Sequence, residues 1–134
     1  MTKTKPTLCN IAASSVNAGF PSPAADYMEK ELDLNQFLIR NPEASFFIRV
    51  SGDSMINAGI FDGDTLVIDR SLQAKNGSII LAILEEEFTI KRFEQRYGRT
   101  YLVPENQNYQ SIEVTDNETF QIWGVVSAAI HKFI

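Results

Sequence analysis

The sequence predicts a single, mostly β domain with short helices at its N-terminal side and a flexible N-terminal arm. Two observations lead to this fold class. Short apolar runs separated by turn residues recur after residue 44, while helical patterns are confined to the stretch before it. The 134 residues, 44% of them hydrophobic and 22% charged, have the composition of an ordinary globular domain with a real core. We assign the arm to residues 1–27 and the domain to residues 28–134.

The N-terminal third contains the arm and two predicted helices. Met1–Ala18 lacks periodicity and is rich in Ser, Thr, Asn and Ala, so we expect a flexible arm in which local order forms only on docking. Gly19–Pro23 contains two prolines, which favour an extended segment. Ala24–Lys30 is expected to form a short helix, because a proline stands just before its first turn. Asp33–Leu38 is expected to form another, with Asp33 as its N-cap.

Six stretches after residue 44 are predicted as strands, because they are apolar and are bounded by turn residues. They are Ser45–Val50, Thr65–Asp69, Ser78–Leu84, Phe88–Phe93, Thr100–Val103 and Phe120–Ile130. Short strands at regular spacing with little helix are typical of a mostly β domain.

The connections between these strands have their own signals. Asn76-Gly77 and Tyr97-Gly98 mark turns, and Glu85–Glu87 is predicted as the tip of a hairpin. Asn106–Tyr109 is predicted as a loop. Gly124 interrupts the last strand, which predicts a β-bulge or a close approach of another segment there.

The charge distribution argues against direct sequence-specific DNA binding. The net charge is −5, but Lys3 and Lys5 give Met1–Ala18 a charge of +2, so the remaining residues carry −7. Affinity for the DNA backbone depends on neutralisation of phosphates by Lys and Arg. The negative charge of the domain therefore argues against a broad DNA-binding face.

Neither a metal site nor another cofactor is predicted. The single cysteine, Cys9, excludes an internal disulfide and a cysteine-based zinc site. The two acidic clusters, Asp62–Asp64 and Glu85–Glu87, lack the further ligands of a calcium loop and are interpreted as solvated turns. No apolar run reaches the roughly 18 residues of a membrane span, and the N-terminus lacks the apolar core of a signal peptide. We therefore expect a cytoplasmic protein without membrane association.

Ser51–Met55 lies where an apolar strand ends and a glycine-containing turn begins. A serine at such a junction is accessible, and backbone N–H groups beside it can stabilise an oxyanion. The natural donors here are the N–H groups of Ser54 and Asp53. Serine and glycine in a turn are also ordinary turn chemistry, and on these residues alone that interpretation is favoured.

A nucleophilic serine needs a base, and Lys91 is the candidate. The only histidine, His131, lies in an apolar tail, which disfavours a Ser-His-Asp triad, whereas Ser-Lys pairs are an established variant. Lysine must be neutral to accept a proton, and burial lowers its pKa from about 10.4. Phe88, Ile90 and Phe93 supply apolar neighbours for this. A lysine that merely extends from a strand into water is the alternative.

The order of these motifs resembles the self-cleaving LexA/UmuD family of Ser-Lys peptidases. The family's nucleophile block resembles Gly52-Asp53-Ser54-Met55 followed by Gly59–Asp64, and its general-base strand resembles Phe88-Thr89-Ile90-Lys91-Arg92. Phe20–Tyr27 and Asp33–Gln36 are specifically similar to the UmuD branch. The resemblance extends from Gly19 to the C-terminus and implies a LexA/signal-peptidase-like, β-strand-rich fold.

The resemblance also implies a role for each matching residue. Ser54 is expected to be the nucleophile, Lys91 the general base and Ala18-Gly19 the scissile bond. Ala18 stands where some relatives have a cysteine. Because alanine keeps the small size of that side chain, cleavage is expected to survive.

The same resemblance implies a role in the SOS response to DNA damage. A RecA filament on single-stranded DNA is expected to stimulate self-cleavage. The remaining 116 residues are expected to form a homodimer that joins a UmuC-like polymerase for error-prone translesion synthesis. The alternative is a non-catalytic protein-interaction module on the same fold, in which Ser54 and Lys91 have no chemical role.

Overall fold

A computed structural model describes residues 8–12, 18–19, 29–116 and 118–134 of the chain. The chain divides into two compact units, Met1–Arg40 and Asn41–Ile134. Each unit is described below by itself.

The first unit contains a two-stranded antiparallel sheet followed by a short helix. Strand β1 (Leu8–Ala12) pairs with β2 (Glu29–Asp33), with Leu8 opposite Asp33. Helix α1 (Leu34–Leu38) follows β2 directly, and the Asp33 carboxylate accepts hydrogen bonds from the backbone N–H groups of Asn35 (3.0 Å) and Gln36 (3.4 Å). The predicted N-cap is therefore confirmed.

Two predictions for the first unit were wrong. Glu29 and Lys30, predicted as the end of a helix over Ala24–Lys30, belong to strand β2, and Ala24–Met28 lies outside the described residues. Leu8–Ala12, expected to be ordered only on docking, forms strand β1. Pairing of the two segments, which are about twenty residues apart, supplies their backbone partners. Such pairing overrides local helix propensity, which is a weak determinant in so short a segment.

Within the described part of the second unit, seven strands form one antiparallel sheet in the order β3-β4-β9-β5-β6-β7-β8. The strands are β3 (Ser45–Arg49), β4 (Thr65–Asp69), β5 (Ile79–Leu84), β6 (Glu87–Arg96), β7 (Arg99–Val103), β8 (Ile112–Val114) and β9 (Phe120–Ile130). Short 3-10 helices occupy Pro42–Ala44 and Ile56–Ala58. The mostly β fold is confirmed.

The strand predictions differ from the structure in two places. Strand β6 is longer than the predicted Phe88–Phe93, because one part of it pairs with β5 and the other with β7. Strand β8 was not predicted, since three residues are too few to show an alternating pattern. The hairpin tip predicted at Glu85–Glu87 is confirmed for Glu85 and Glu86, which connect β5 to β6 with φ angles of 50° and 68°, whereas Glu87 is the first residue of β6.

Buried apolar side chains cover both faces of the sheet. One cluster contains Met55, Ile60, Leu66, Ile68 and Leu81, and the other contains Ile80, Ala82, Phe93 and Leu102. Neighbouring residues of β5 contribute to different clusters, as alternation along a strand requires. Met55 is 2% exposed, so the residue directly after Ser54 is anchored in the core.

Gly124 lies where two strands approach closely, as predicted. A Cβ atom at this position would lie 2.5 Å from Ile68 Cγ2 and 3.3 Å from the backbone oxygen of Asp69. The pairing of β9 with β4 and with β5 shifts register near this residue, so bulges are present on both sides of the strand.

Asp64 corrects the expectation that the whole Asp62–Asp64 cluster is solvated, because Asp64 is only 2% exposed. Its carboxylate accepts a hydrogen bond from Phe61 N–H (2.8 Å) and contacts His131 Nδ1. Burial raises the pKa of Asp64, but these two partners outweigh burial and hold its pKa below the ordinary 3.8. The carboxylate thus fixes the turn between β3 and β4.

Replacing Asp64 with asparagine is expected to lower the free energy of unfolding at pH 7 by about 1–3 kcal/mol, because it weakens satisfied contacts of a buried group. The native carboxylate has a lowered pKa. Its contribution to the free energy of unfolding is therefore complete above pH 3.8, and it is lost as the pH falls through the lowered pKa of Asp64 in the folded state. Urea unfolding between pH 7 and pH 3 should show a flatter pH dependence for Asp64→Asn. The exposed Asp116→Asn serves as control, and equal behaviour of the two variants would contradict the prediction.

No helix in the described part of the chain has the length and apolar character needed to cross a membrane.

Candidate active site

Ser54 and Lys91 meet at the end of strand β3. Ser54 belongs to the turn after β3, and Lys91 lies in β6. Lys91 Nζ lies 3.2 Å from Ser54 Oγ, across 37 residues of sequence. A hydroxyl and an amine at this distance are within reach for proton transfer. The two residues predicted as nucleophile and base are therefore side by side.

Two further acceptors surround the Lys91 amine. Nζ lies 2.8 Å from Thr89 Oγ1 and 3.0 Å from the backbone oxygen of Ile90. Thr89 was not singled out in the sequence. It could have been found, because residues two apart in a strand lie on the same face and Thr89 precedes Lys91 by two. This spacing predicts that the Thr89 hydroxyl lies on the same face as the Lys91 amine.

Burial lowers the pKa of Lys91 below its ordinary value of 10.5. The physical cause is desolvation, which disfavours the ammonium form relative to the neutral amine. A larger fraction of Lys91 is therefore neutral at a given pH than for a lysine in water.

The turn that carries Ser54 is held on its N-terminal side by the segment before β4. Val50 N–H donates to Asp64 O and Gly63 N–H donates to Val50 O, both at 2.8 Å. Gly52 N–H donates to Asp62 Oδ1 at 2.7 Å. Gly52 has a φ of 93°, a conformation that a side chain would strain.

A second segment, residues 104–109, holds the turn from the other side, and we name it the clamp loop. Glu105 N–H donates to Ser54 O (2.8 Å), and Asn106 Nδ2 donates to Asp53 O (2.9 Å). The Tyr109 hydroxyl donates to Asp53 Oδ1 (2.7 Å), and this hydrogen bond raises the pKa of Tyr109. The sequence predicted only a loop here, because contacts between segments about fifty residues apart leave no motif.

A cleft of about 280 Å³ opens beside Ser54 and Lys91. Its other lining residues include the apolar Ile48, Val50 and Phe88 and the polar Arg49 and Ser51. A neighbouring apolar pocket of about 250 Å³ shares Ile48 and Phe88 with it.

The other predicted site residues stand as follows. The backbone N–H groups of Asp53 and Ser54 belong to the turn that carries the Ser54 hydroxyl, and their oxyanion role stays a prediction. Ala18 and Gly19 are exposed residues of the first unit. No group of three or more His, Cys, Asp or Glu side chains in the described ranges is arranged to hold a metal ion.

Comparison with known proteins identifies the family. The sequence matches the Peptidase S24-like family over residues 10–127. It is 47% identical to Protein MucA of Salmonella typhimurium over 116 residues, which cover 86% of this chain and 79% of MucA. It is 44% identical to Protein ImpA of Shigella flexneri over 122 residues, covering 91% of this chain and 83% of ImpA.

A repressor is also similar. The chain is 39% identical to the LexA repressor of Shewanella pealeana over 118 residues, which cover 87% of this chain but only 57% of the repressor. These matches confirm the resemblance expected from the motifs: the chain belongs to the Peptidase S24-like family.

Proposed function

We propose that this chain is a self-cleaving serine endopeptidase in which Ser54 is the nucleophile and Lys91 the general base. The observation that carries the proposal is the 3.2 Å contact between Lys91 Nζ and Ser54 Oγ, together with the burial that lowers the lysine pKa. The cleft beside this pair supports a peptide substrate. The proposed substrate is the bond between Ala18 and Gly19 in the chain's own arm, residues 1–27, and residues 28–134 form the peptidase domain.

The contacts of Lys91 explain how it would take the serine proton. A neutral amine has two N–H bonds and one lone pair. Donation to Thr89 Oγ1 and Ile90 O uses both N–H bonds and leaves the lone pair directed at Ser54. Ser54 O–H can then donate to Nζ, which is the hydrogen bond that general-base catalysis requires.

Cleavage would follow the usual order of acyl transfer. Ser54 Oγ attacks the carbonyl carbon of Ala18 as its proton moves to Lys91 Nζ, and the carbonyl electron pair moves to oxygen. The backbone N–H groups of Ser54 and Asp53 stabilise this oxyanion. The C–N bond then breaks, and the amino group of Gly19 takes the proton from Lys91. Water then attacks the ester carbon as its proton moves to Lys91 Nζ. The bond between that carbon and Ser54 Oγ breaks, Oγ takes the proton back from Lys91, and residues 1–18 leave with Ala18 as a C-terminal carboxylate.

We further propose that this cleavage serves the SOS response in the cytoplasm. The proposal is supported by the family and by the similarity to MucA, ImpA and a LexA repressor. A RecA–single-stranded DNA filament would stimulate cleavage by favouring the docked arm, since orientation alone can contribute about 7–11 kcal/mol to catalysis. The cleaved homodimer would then act with a UmuC-like translesion polymerase, without sequence-specific DNA contacts of its own.

The test is the intact mass of the protein after incubation at about pH 10, where the neutral fraction of Lys91 is large. The wild type is expected to lose Met1–Ala18. Ser54→Ala is expected to remain intact, while Ser51→Ala, which changes another serine lining the same cleft, is expected to cleave.

Each alternative result has a defined meaning. Cleavage of Ser54→Ala at the wild-type rate would exclude Ser54 as nucleophile. A wild-type protein that stays intact at every pH while circular dichroism shows it folded would favour the non-catalytic interaction module.

A further inference from the structure

We propose that Arg92 and Glu105 are positioning residues that hold Ser54 in register with Lys91. This inference rests on the proposed Ser-Lys chemistry and adds two residues to it. Neither belongs to the pair that reacts, but together they connect the two segments that carry that pair.

Arg92 starts the connection, because it directly follows Lys91 in strand β6. Successive side chains of a strand point to opposite faces, so Arg92 leaves the strand away from Lys91. Its Nε forms an ion pair with the Glu105 carboxylate, and its Nη1 donates to the Gly77 backbone oxygen at 2.6 Å. The guanidinium is thus held at two points, a geometry to which its planar group is suited.

Glu105 continues the connection through its backbone. Its N–H donates to Ser54 O and its carbonyl oxygen accepts from Asn57 N–H, both at 2.8 Å. Glu105 therefore contacts the turn that carries Ser54 on both sides of Met55. Pro104, directly before it, is buried and has a restricted φ angle, which limits the freedom of this end of the clamp loop.

The path from base to nucleophile is short. It runs from the backbone at Lys91 to the Arg92 side chain, then to Glu105 and the backbone of Ser54. The side chains of Arg92 and Glu105 are each 30% exposed, so their ion pair is partly shielded from water. Without the ion pair, the pairing of Val103 with Arg92 would still hold the start of the clamp loop to β6, but the Glu105 side chain would no longer be fixed to β6. A displacement of about 1 Å at a reacting pair can cost roughly a hundredfold in rate.

A second ion pair provides a matched comparison. Arg99 in β7 and Glu113 in β8 form a 3.6 Å pair in the same sheet, with side chains 67% and 41% exposed. This pair connects two neighbouring strands. The hydrogen bonds described above for the turn that carries Ser54 involve neither Arg99 nor Glu113. Removing the Arg99–Glu113 pair therefore shows how the loss of an ion pair in this sheet affects the rates when the pair has no positioning role.

The experiment compares full-length wild type, Glu105→Ala, Glu105→Gln and Glu113→Ala. Two rates are measured between pH 7 and pH 10.5: self-cleavage, and labelling of Ser54 by a small fluorophosphonate, which needs no docked arm. Glu105→Ala is expected to lower the high-pH plateau of both rates by about 10- to 100-fold, with an unchanged midpoint pH. Glu105→Gln keeps an acceptor oxygen and should fall between, while Glu113→Ala should match the wild type.

Several results would overturn the proposal. These are wild-type rates for Glu105→Ala, equal losses for Glu105→Ala and Glu113→Ala, or a shifted midpoint with an unchanged plateau, which would indicate an electrostatic effect on Lys91. All variants are assayed below the temperature at which circular dichroism detects unfolding. Glu105→Gln supplies the decision if Glu105→Ala does not fold.

The failure of the proposed function is distinguishable from the failure of this inference. Wild type that is labelled at Ser54 but never cuts its arm would contradict self-cleavage, and the labelling rates of the Glu105 variants would still decide the positioning role. Wild type that is neither labelled nor cut would overturn both.

Discussion

Lys91→Met is expected to lower the rate of self-cleavage about a thousandfold or more, because methionine fills a similar volume but cannot accept the proton of Ser54. Every proposed step in which a proton leaves or reaches a reacting oxygen or nitrogen uses Lys91 Nζ, which lies 3.2 Å from Ser54 Oγ. Intact-mass time courses measure the effect. Lys75→Met removes an exposed lysine and should leave the rate unchanged.

The pH dependence of the wild type has a defined sign. Only neutral Lys91 accepts a proton, so the cleavage rate should rise with pH through the folded pKa and reach a plateau. Because burial lowers this pKa, the midpoint should lie below 10.5. A midpoint above 10.5, or cleavage by Lys91→Met at the wild-type rate, would contradict the assignment of Lys91 as base.

The same pKa shift predicts how the Lys91 variant changes stability. The folded state binds the Lys91 proton less tightly than the unfolded state does. The wild type therefore gains stability as the pH rises from the folded pKa toward 10.5, and it bears the full cost of the buried ammonium below that range. Lys91→Met lacks this cost, so it should be at least as stable as the wild type at pH 7, and loss of cleavage cannot then be ascribed to unfolding.

Gly124→Ala is expected to lower the free energy of unfolding by about 1–3 kcal/mol, the usual cost of forcing extra volume into a packed core. The added Cβ would lie 2.5 Å from Ile68 Cγ2, and Ile68 is fully buried with no room to retreat. The backbone oxygen of Asp69, at 3.3 Å, restricts the other direction.

Urea unfolding measures this change. Ala129→Val adds volume at an exposed position of the same strand and should change stability little. Equal midpoints for wild type and Gly124→Ala would show that β9 can shift to admit the methyl group, which would contradict the close packing at this position.

Several features followed from the sequence because their signals are local. Apolar strands bounded by Gly, Asn and Asp predicted most of the large sheet, and Asp33 was recognisable as a helix N-cap from its own position. Ser54 and Lys91 were selected by the chemistry that a nucleophile and a base require, aided by the family resemblance of the surrounding motifs. The structure then placed the two atoms within 3.2 Å of each other.

Other features depend on partners far along the chain. Strands β1 and β2 form because each supplies the other's hydrogen bonds, and for that reason the helix predicted over Ala24–Lys30 was wrong at Glu29 and Lys30. Asp64 looked like part of a solvated turn, since its partner His131, 67 residues further along the chain, could not be recognised from the pattern.

The sequence by itself therefore determined the fold class, the family and the candidate pair Ser54 and Lys91, because strand alternation, turn chemistry and motif order are properties of short segments. The tertiary structure alone decided how that pair is held: Thr89 beside the lysine, the clamp loop behind Ser54, and the Arg92–Glu105 pair between them. These contacts join segments many residues apart, in part through backbone atoms that every residue type possesses. Such contacts leave no pattern in the sequence and arise only when the sheet brings the segments together.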